Sequence, residues 1–262
     1  DLSHRVRYLI QYPHGCIEQI TSGGFPQLFL PAYLKLGAAE TNKVKENVMS
    51  VFERSPSYQT ASGAMGYWQG SKDAHSWGTC YAVHFMALAR EQGYAVPAAV
   101  YNPALAWLSE SASRWTDRSG DSETTQAYRL FVLALAGKAD IGAMNRLASG
   151  ITGDSSYETR SLLACAYALI GRKNDAKNFC GWEEESDYRS TGGDFSSSLR
   201  TRAINMVACT QAGLTAEAAR AAKELASRLS SGDWLSTQET AWALYALLPY
   251  YSAQKAGGDA SY

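Results

Sequence analysis

One pattern recurs along this chain and constrains its fold more than any other feature: a Thr, a run of small and aliphatic residues, then a Gly. It reads TQAYRLFVLALAG from Thr125 to Gly137, TRSLLACAYALIG from Thr159 to Gly171 and TRAINMVACTQAG from Thr201 to Gly213, with identical spacing. Related segments start at Thr79 (TCYAVHFMALAREQG) and Thr240 (TAWALYALLPYY). A Thr at or near the N-cap can satisfy an orphan backbone N–H, and a Gly past the last turn can take the left-handed conformation that ends a helix. Each unit therefore predicts a capped helix. The starts lie 34 to 46 residues apart, which suits a repeated helical hairpin of about 40 residues. Between them run polar amphipathic helices such as Ala216 to Leu229 (AEAARAAKELASRL), whose charged residues face water. The expected class is all-α. The hairpins can stack as an open solenoid or close into a ring of about six, an α/α toroid of inner and outer helices. Repeat helices this apolar favour the ring, where an inner helix has neighbours on every side.

Hydrophobic residues make up 46% of the 262 and charged residues 19%, enough for a sizeable core. Residues 1–262 are read as one domain. Longer polar loops are expected at Ser109 to Thr124 and Gly181 to Ser198, with a frayed tail over 253–262 that can lead into a following domain. The opening Asp1, without an export signal, reads as a piece excised from a larger multidomain protein. No apolar stretch approaches the roughly 20 residues that span a bilayer. The net charge of −1 comes without any Lys or Arg run, so nucleic acid is not an expected partner.

Cys16, Cys80, Cys165, Cys180 and Cys209 include no C-x-x-C pair, and His4, His14, His75 and His84 are scattered, so neither a metal nor a cofactor is expected. Cys80, Cys165 and Cys209 fall in apolar helical patterns and read as small hydrophobes. His84 reads as a satisfied core or ring-lining histidine. Asp121 and Glu123 are the carboxylate pair a toroidal glycosidase would need, but their Ser-rich loop makes solvated charge the simpler reading.

Tyr12 to Gln19 reads YPHGCIEQ, a turn-forming stretch directly before the first strongly apolar helical segment, Phe25 to Leu36. Pro13 fixes one backbone angle and Gly15 opens others, so the chain can turn sharply before Cys16. If 16–19 form a first helical turn, Cys16 and Gln19 share a face at i and i+3. A thiolate there is favoured by the helix dipole, and its attack on the Gln19 carboxamide with loss of ammonia gives an internal thioester.

On these residues the chain resembles the thioester-containing domains of alpha-2-macroglobulins and complement components, whose motif G-C-x-E-Q stands here as Gly15-Cys16-Ile17-Glu18-Gln19. Tyr12-Pro13 resembles the bacterial branch, Y-P-Y-G-C-x-E-Q, with His14 in place of the second Tyr. GYWQG (Gly66 to Gly70), the helix from Trp77 and WLSTQETAWALYAL (Trp234 to Leu247) extend the resemblance along most of the chain.

The resemblance implies an α/α toroid with Gln19 as acyl carrier and Cys16 as leaving group. The chemistry implied is single-turnover acyl transfer, not enzymatic turnover. In the full-length protein it implies endopeptidase inhibition, with target proteases captured through covalent amide bonds and other macroglobulin domains packed alongside. It implies export to the periplasm or cell envelope, with any lipid anchor on the full-length protein. It assigns Tyr12 to shielding the bond, and it leaves Glu18 between a motif role and favourable charge at a helix start. Trp68 and Trp234 are possible pocket residues, with packing as the plainer reading. His14 is a local base or a solvated turn residue. Some complement domains carry a downstream His that helps acylate hydroxyls; none stands near residues 118–128 here, which implies a preference for amines. The alternative function is an α/α-toroid protein-binding module with an absent or spent thioester.

Overall fold

The structure, a computed structural model, describes residues 15–118, 120–181, 187–190 and 193–258. Among the described residues it is helical with no strand, its only β features being the bridges Gln59–Met65 and Arg189–Ser197. Among the described residues twelve α-helices follow one another: α1 (Ile17–Gly24), α2 (Leu30–Tyr33), α3 (Ala38–Arg54), α4 (Ser76–Glu91), α5 (Ala98–Arg114), α6 (Glu123–Leu135), α7 (Ile141–Gly150), α8 (Tyr157–Leu169), α9 (Lys173–Lys177), α10 (Ser198–Ala212), α11 (Thr215–Ser230) and α12 (Thr237–Gly258). No described helix is long and apolar enough to cross a membrane.

Every predicted repeat is a helix, but its cap is a different residue from the Thr. Ser122, Ser156 and Ser197 accept from the backbone N–H of Thr125, Thr159 and Arg200, and His75 does the same for Gly78. The Thr lies one turn inside, where Thr79 and Thr240 hydroxyls donate back to the carbonyls of His75 and Ser236. The glycines behave as expected: Gly93, Gly137, Gly171 and Gly213 all have φ between 70° and 84°, and the left-handed turn lets the chain leave each helix.

Packing follows the alternation of apolar and polar helices. The apolar helices α1, α4, α6, α8, α10 and α12 each pack on the next, and α12 returns to α1 and the 3-10 turn Pro26–Leu28. The less buried α3, α5, α7, α9 and α11 pack against them. On α11, Ala218, Ala221, Ala222, Leu225 and Leu229 are buried while the charged face is not, the stripe its sequence predicts.

Three boundaries differ from the sequence reading. Phe25 to Leu36, expected as one apolar helix, is a 3-10 turn and the four-residue α2, because Pro26 and Pro31 each remove a backbone donor and break the run. The loop expected from Ser109 begins only after Arg114, since SESASR continues the periodicity of α5. The helix α12 runs to Gly258, into the stretch where periodicity is lost.

Where the inner helices meet, polar groups are buried in pairs. Arg200 on α10, 2% exposed, forms an ion pair with Glu158 on α8, 4% exposed, and donates to Gln238 Oε1 on α12 at 2.9 Å. Arg129 is fully buried and pairs with Asp121 at 2.7 Å, while Glu123 accepts from Ser155 at 2.9 Å. Asp121 in the loop and Glu123 at the start of α6 thus each hold a neighbouring segment in place.

His84 on α4 lies deepest. Phe25, Phe131, Trp242 and Tyr245 surround its ring at centroid distances of 4.9 to 5.4 Å, and Nδ1 hydrogen-bonds the Tyr128 hydroxyl at 3.0 Å. Nε2 is buried without a partner, so the expected core histidine is only half satisfied. Burial pulls its pKa down to about 3, which keeps the imidazole neutral.

Candidate functional site: the Cys16–Gln19 turn

Gly15, Cys16, Glu18 and Gln19 come together at the start of α1. Cys16 is its N-cap, in extended conformation, and only 3% exposed. Gln19 sits three residues on, and its Oε1 accepts from the Cys16 backbone N–H at 3.1 Å. This is the reaching-back half of a capping box, and it folds the carboxamide over the cysteine.

Gly15 is dictated by this geometry. A Cβ there would lie 2.0 Å from Gln19 Oε1 and 2.9 Å from its Cδ, so any side chain would occupy the space of the carboxamide. The Tyr58 hydroxyl donates to the Gly15 carbonyl at 2.5 Å, and Ile17 N–H donates to the Tyr67 carbonyl at 2.9 Å. Both anchors come from the segment after α3, so the turn is held from outside its own helix.

Glu18 is 6% exposed, and its Oε1 accepts from Ser22 Oγ at 2.6 Å, Gln238 Nε2 at 3.3 Å and Thr237 Oγ1 at 3.4 Å. Ser22 in turn meets the Tyr81 hydroxyl at 3.0 Å. A carboxylate at a helix start is favoured by the dipole, but here it also joins the first helix to the last.

Tyr67 was not singled out by the sequence. Its hydroxyl hydrogen-bonds the Cys16 side chain, and its phenol pKa is raised by burial first and by that contact second. Its ring packs on His75 at 4.8 Å and on Trp68 at 5.2 Å. His75 Nδ1 accepts from Gly78 N–H at 3.0 Å, so the ring proton of the neutral form sits on Nε2. Burial lowers the His75 pKa and nearby Asp121 opposes this. Gly78 is the wedge between the two sides, since a Cβ there would lie 2.7 Å from Ile17 Cγ2 and 2.8 Å from His75 Nδ1. The signal for Tyr67 was the GYWQG segment, where attention went to the larger Trp68.

The two tryptophans face solvent. Trp68 is 58% exposed and Trp234 is 66% exposed. Arg189 stacks over Trp234 at 4.8 Å and pairs with Glu239 at 2.8 Å. Trp234 borders a 330 Å³ surface cavity with Arg189, Arg228 and Glu239, and Trp68 is not in its lining. Tyr12 and His14 lie outside the described residues. Among the described residues no cluster of His, Cys, Asp and Glu could hold a metal.

These features define an all-helical domain that opens on a buried cysteine capped by its own i+3 glutamine. Residues 2–117, which contain the turn, match the A-macroglobulin TED domain. Alpha-2-macroglobulin of Escherichia coli (strain K12) is 28% identical over 92% of this chain and 16% of its own length; that of Xylella fastidiosa (strain 9a5c) is 30% identical over 88% and 15%. Among solved structures, Escherichia coli alpha-2-macroglobulin activated by porcine elastase superposes with a TM-score of 0.73, at 27% identity over 91% of this chain and 23% of that one. Salmonella alpha-2-macroglobulin reacted with methylamine gives 0.70, at 26% identity over 94% and 17%. Over residues 2–117 the chain matches the TED domain of the alpha-2-macroglobulin family, and over most of its length it is similar to bacterial alpha-2-macroglobulins. It spans about a sixth of the length of the curated relatives it matches.

Proposed function

We propose that Cys16 and Gln19 condense to an internal thioester that acylates amines, and that the domain serves covalent capture of proteases within a larger alpha-2-macroglobulin-like chain. The observation that carries the reading is the 3.1 Å contact from Cys16 N–H to Gln19 Oε1. It polarises the carboxamide carbonyl and holds it beside the sulfur, a proximity worth far more than the weak bond itself. The Cys16 sulfur attacks the Gln19 carbonyl carbon and ammonia leaves. Later a primary amine attacks the same carbon, an amide forms on residue 19, and Cys16 departs as a free thiol. Each chain reacts once, so the role is inhibitor rather than enzyme.

Burial supports the storage of such a bond. Cys16 is covered by the fold while Tyr58 and Tyr67 bracket the turn, and water exclusion slows hydrolysis of an activated acyl group. Tyr12 belongs to the proposal as the shield that the bacterial motif implies, and His14 and the exposed Trp68 and Trp234 as flanking residues. Reaction of the Salmonella relative with methylamine supports amine chemistry here. We read the closed succession of inner helices as an α/α toroid comprising one domain. By the same family logic the parent protein is exported to the periplasm or envelope, packs other macroglobulin domains against this one, and captures proteases through lysine amides.

Intact mass with thiol titration tests the reading on freshly prepared protein. The expected result is a mass lower by one ammonia, a blocked Cys16, and a gain of one methylamine with release of one thiol on treatment. A full mass, a free Cys16 and no methylamine incorporation would leave the binding-module alternative standing.

A further inference from the structure

Away from the turn, two further cysteines are neighbours. Cys180 follows α9, and its N–H donates to the Ala176 carbonyl at 3.1 Å. Cys209 lies on the inner helix α10. The two side chains are electrostatic neighbours, and one polar group holds the backbone beside the first and the sulfur of the second. Asn205 Oδ1 accepts from Gly181 N–H at 3.5 Å and from Cys209 Sγ at 3.7 Å. The Tyr157 hydroxyl donates to the Gly181 carbonyl, so the segment carrying Cys180 is pinned over the helix carrying Cys209. Cys209 is buried and Cys180 half-buried, which gives reagents access to one member of the pair.

Cys80 and Cys165 differ in this respect. Both are fully buried, and burial pushes the Cys80 thiol up to about 12 and the Cys165 thiol well above its usual range. Such thiols are inert because the thiolate is the reactive form. Cys165 instead donates to the Ile204 carbonyl at 3.5 Å.

We propose that Cys180 and Cys209 form a redox cross-link, a disulfide that staples the exit of α9 to α10 and is separate from the Cys16 chemistry. The oxidant is a low-molecular-weight disulfide. The Cys180 thiolate attacks one of its sulfurs, giving a mixed disulfide and one released thiol. The Cys209 thiolate then attacks the Cys180 sulfur, closing the protein disulfide and releasing the second thiol. Two protein thiols are oxidised, one reagent disulfide is reduced, and the two thiol protons end on the released thiols. Cysteines anchored about one amide oxygen can be bridged where their Cβ atoms converge, and an oxidising compartment retains such a link.

The staple lies at the root of the connection from α9 to α10. That connection carries Arg189, whose guanidinium grips Glu239 in the first turn of α12 through both carboxylate oxygens. Oxidation therefore restrains both ends of a connection that reaches the last helix.

The test uses the full 262-residue chain treated with oxidised glutathione, then mapped as peptides without reduction and melted beside a dithiothreitol-treated sample. The expected results are a peptide joining Cys180 to Cys209, lighter by two hydrogens, and a melting temperature roughly 6–12 °C above the reduced form. Cys209→Ser is expected to stop at a glutathione adduct on Cys180, and Cys180→Ser to show no oxidant-dependent shift in melting. A lasting glutathione adduct on Cys180 beside a free Cys209 in the unsubstituted chain would overturn the proposal, as would two unmodified thiols. The state of Cys16, read in the same map, reports on the thioester independently.

Discussion

A Cβ on residue 15 would stand 2.0 Å from Gln19 Oε1, which makes Gly15 the residue that leaves room for the glutamine to lie over Cys16. Gly15→Ala is expected to expel the Gln19 side chain while leaving the helices intact. The cost in stability is about 1–3 kcal/mol, as for other overpacked sites. Thiol titration should find Cys16 free, and methylamine incorporation should be lost. Normal incorporation in the Ala variant would show that the turn relaxes and the Gly is dispensable.

Tyr67 is a positioning residue whose hydroxyl meets the Cys16 side chain. In the acyl transfer proposed above, it stabilises the sulfur as it leaves. Tyr67→Phe keeps the ring contacts with His75 and Trp68 and removes that hydrogen bond. Amine incorporation should slow about tenfold, the value of one hydrogen bond to a charged group, with melting nearly unchanged. The rate should also become more sensitive to the leaving thiol's protonation, visible as a steeper pH profile.

The Arg200–Glu158 pair is buried on both sides, so removal of one partner strands the other charge. Arg200→Met is expected to cost about 3–5 kcal/mol, read as a fall in denaturant midpoint. Adding Glu158→Gln should recover part of the loss. A single variant as stable as the parent would mean that Thr201 and Ser196 satisfy Glu158 without the arginine.

His84 gives the fold an acid limit. Burial holds its pKa at about 3 in the folded chain against 6.5 for a free histidine, so the unfolded chain takes up a proton that the folded chain refuses. The sign is that of a depressed histidine: stability from this site is complete above about pH 6.5 and declines as the pH falls toward 3. The slope is roughly 1.4 kcal/mol per pH unit, up to about 5 kcal/mol in all. The groups around it are the aromatic Phe25, Tyr128, Phe131, Trp242 and Tyr245, none of which supplies a countercharge. His84→Phe should flatten melting temperature against pH between 6.5 and 4. An equally steep variant would assign the acid lability to other groups.

Local signals in the sequence reach as far as a helical turn or a cap. They locate the repeat helices, the left-handed glycines and the meeting of Cys16 with Gln19, all relations within a few residues. They misplace the caps, because Ser122, Ser156 and Ser197 stand just before the conspicuous Thr copies and fulfil the role assigned to Thr. Pro26 and Pro31 were legible breakers, outweighed in the reading by the apolar run around them. Tyr67 was not legible, since its partner Cys16 lies 51 residues earlier and no periodicity links a loop tyrosine to a helix start. Trp68 drew attention by size, yet on an exposed loop the neighbour that turns inward does the contacting.

The Glu18 contact with Gln238 spans 220 residues, nearly the whole chain. Ribosomes deliver the chain from its N-terminus, and contacts so far apart in sequence form late because the intervening chain must be ordered first. The Cys16 turn is therefore made well before it can be finished, waiting for α12 to supply its final partners. The contacts that fix the turn around Cys16 thus stay incomplete until the helix that closes over it has been synthesised.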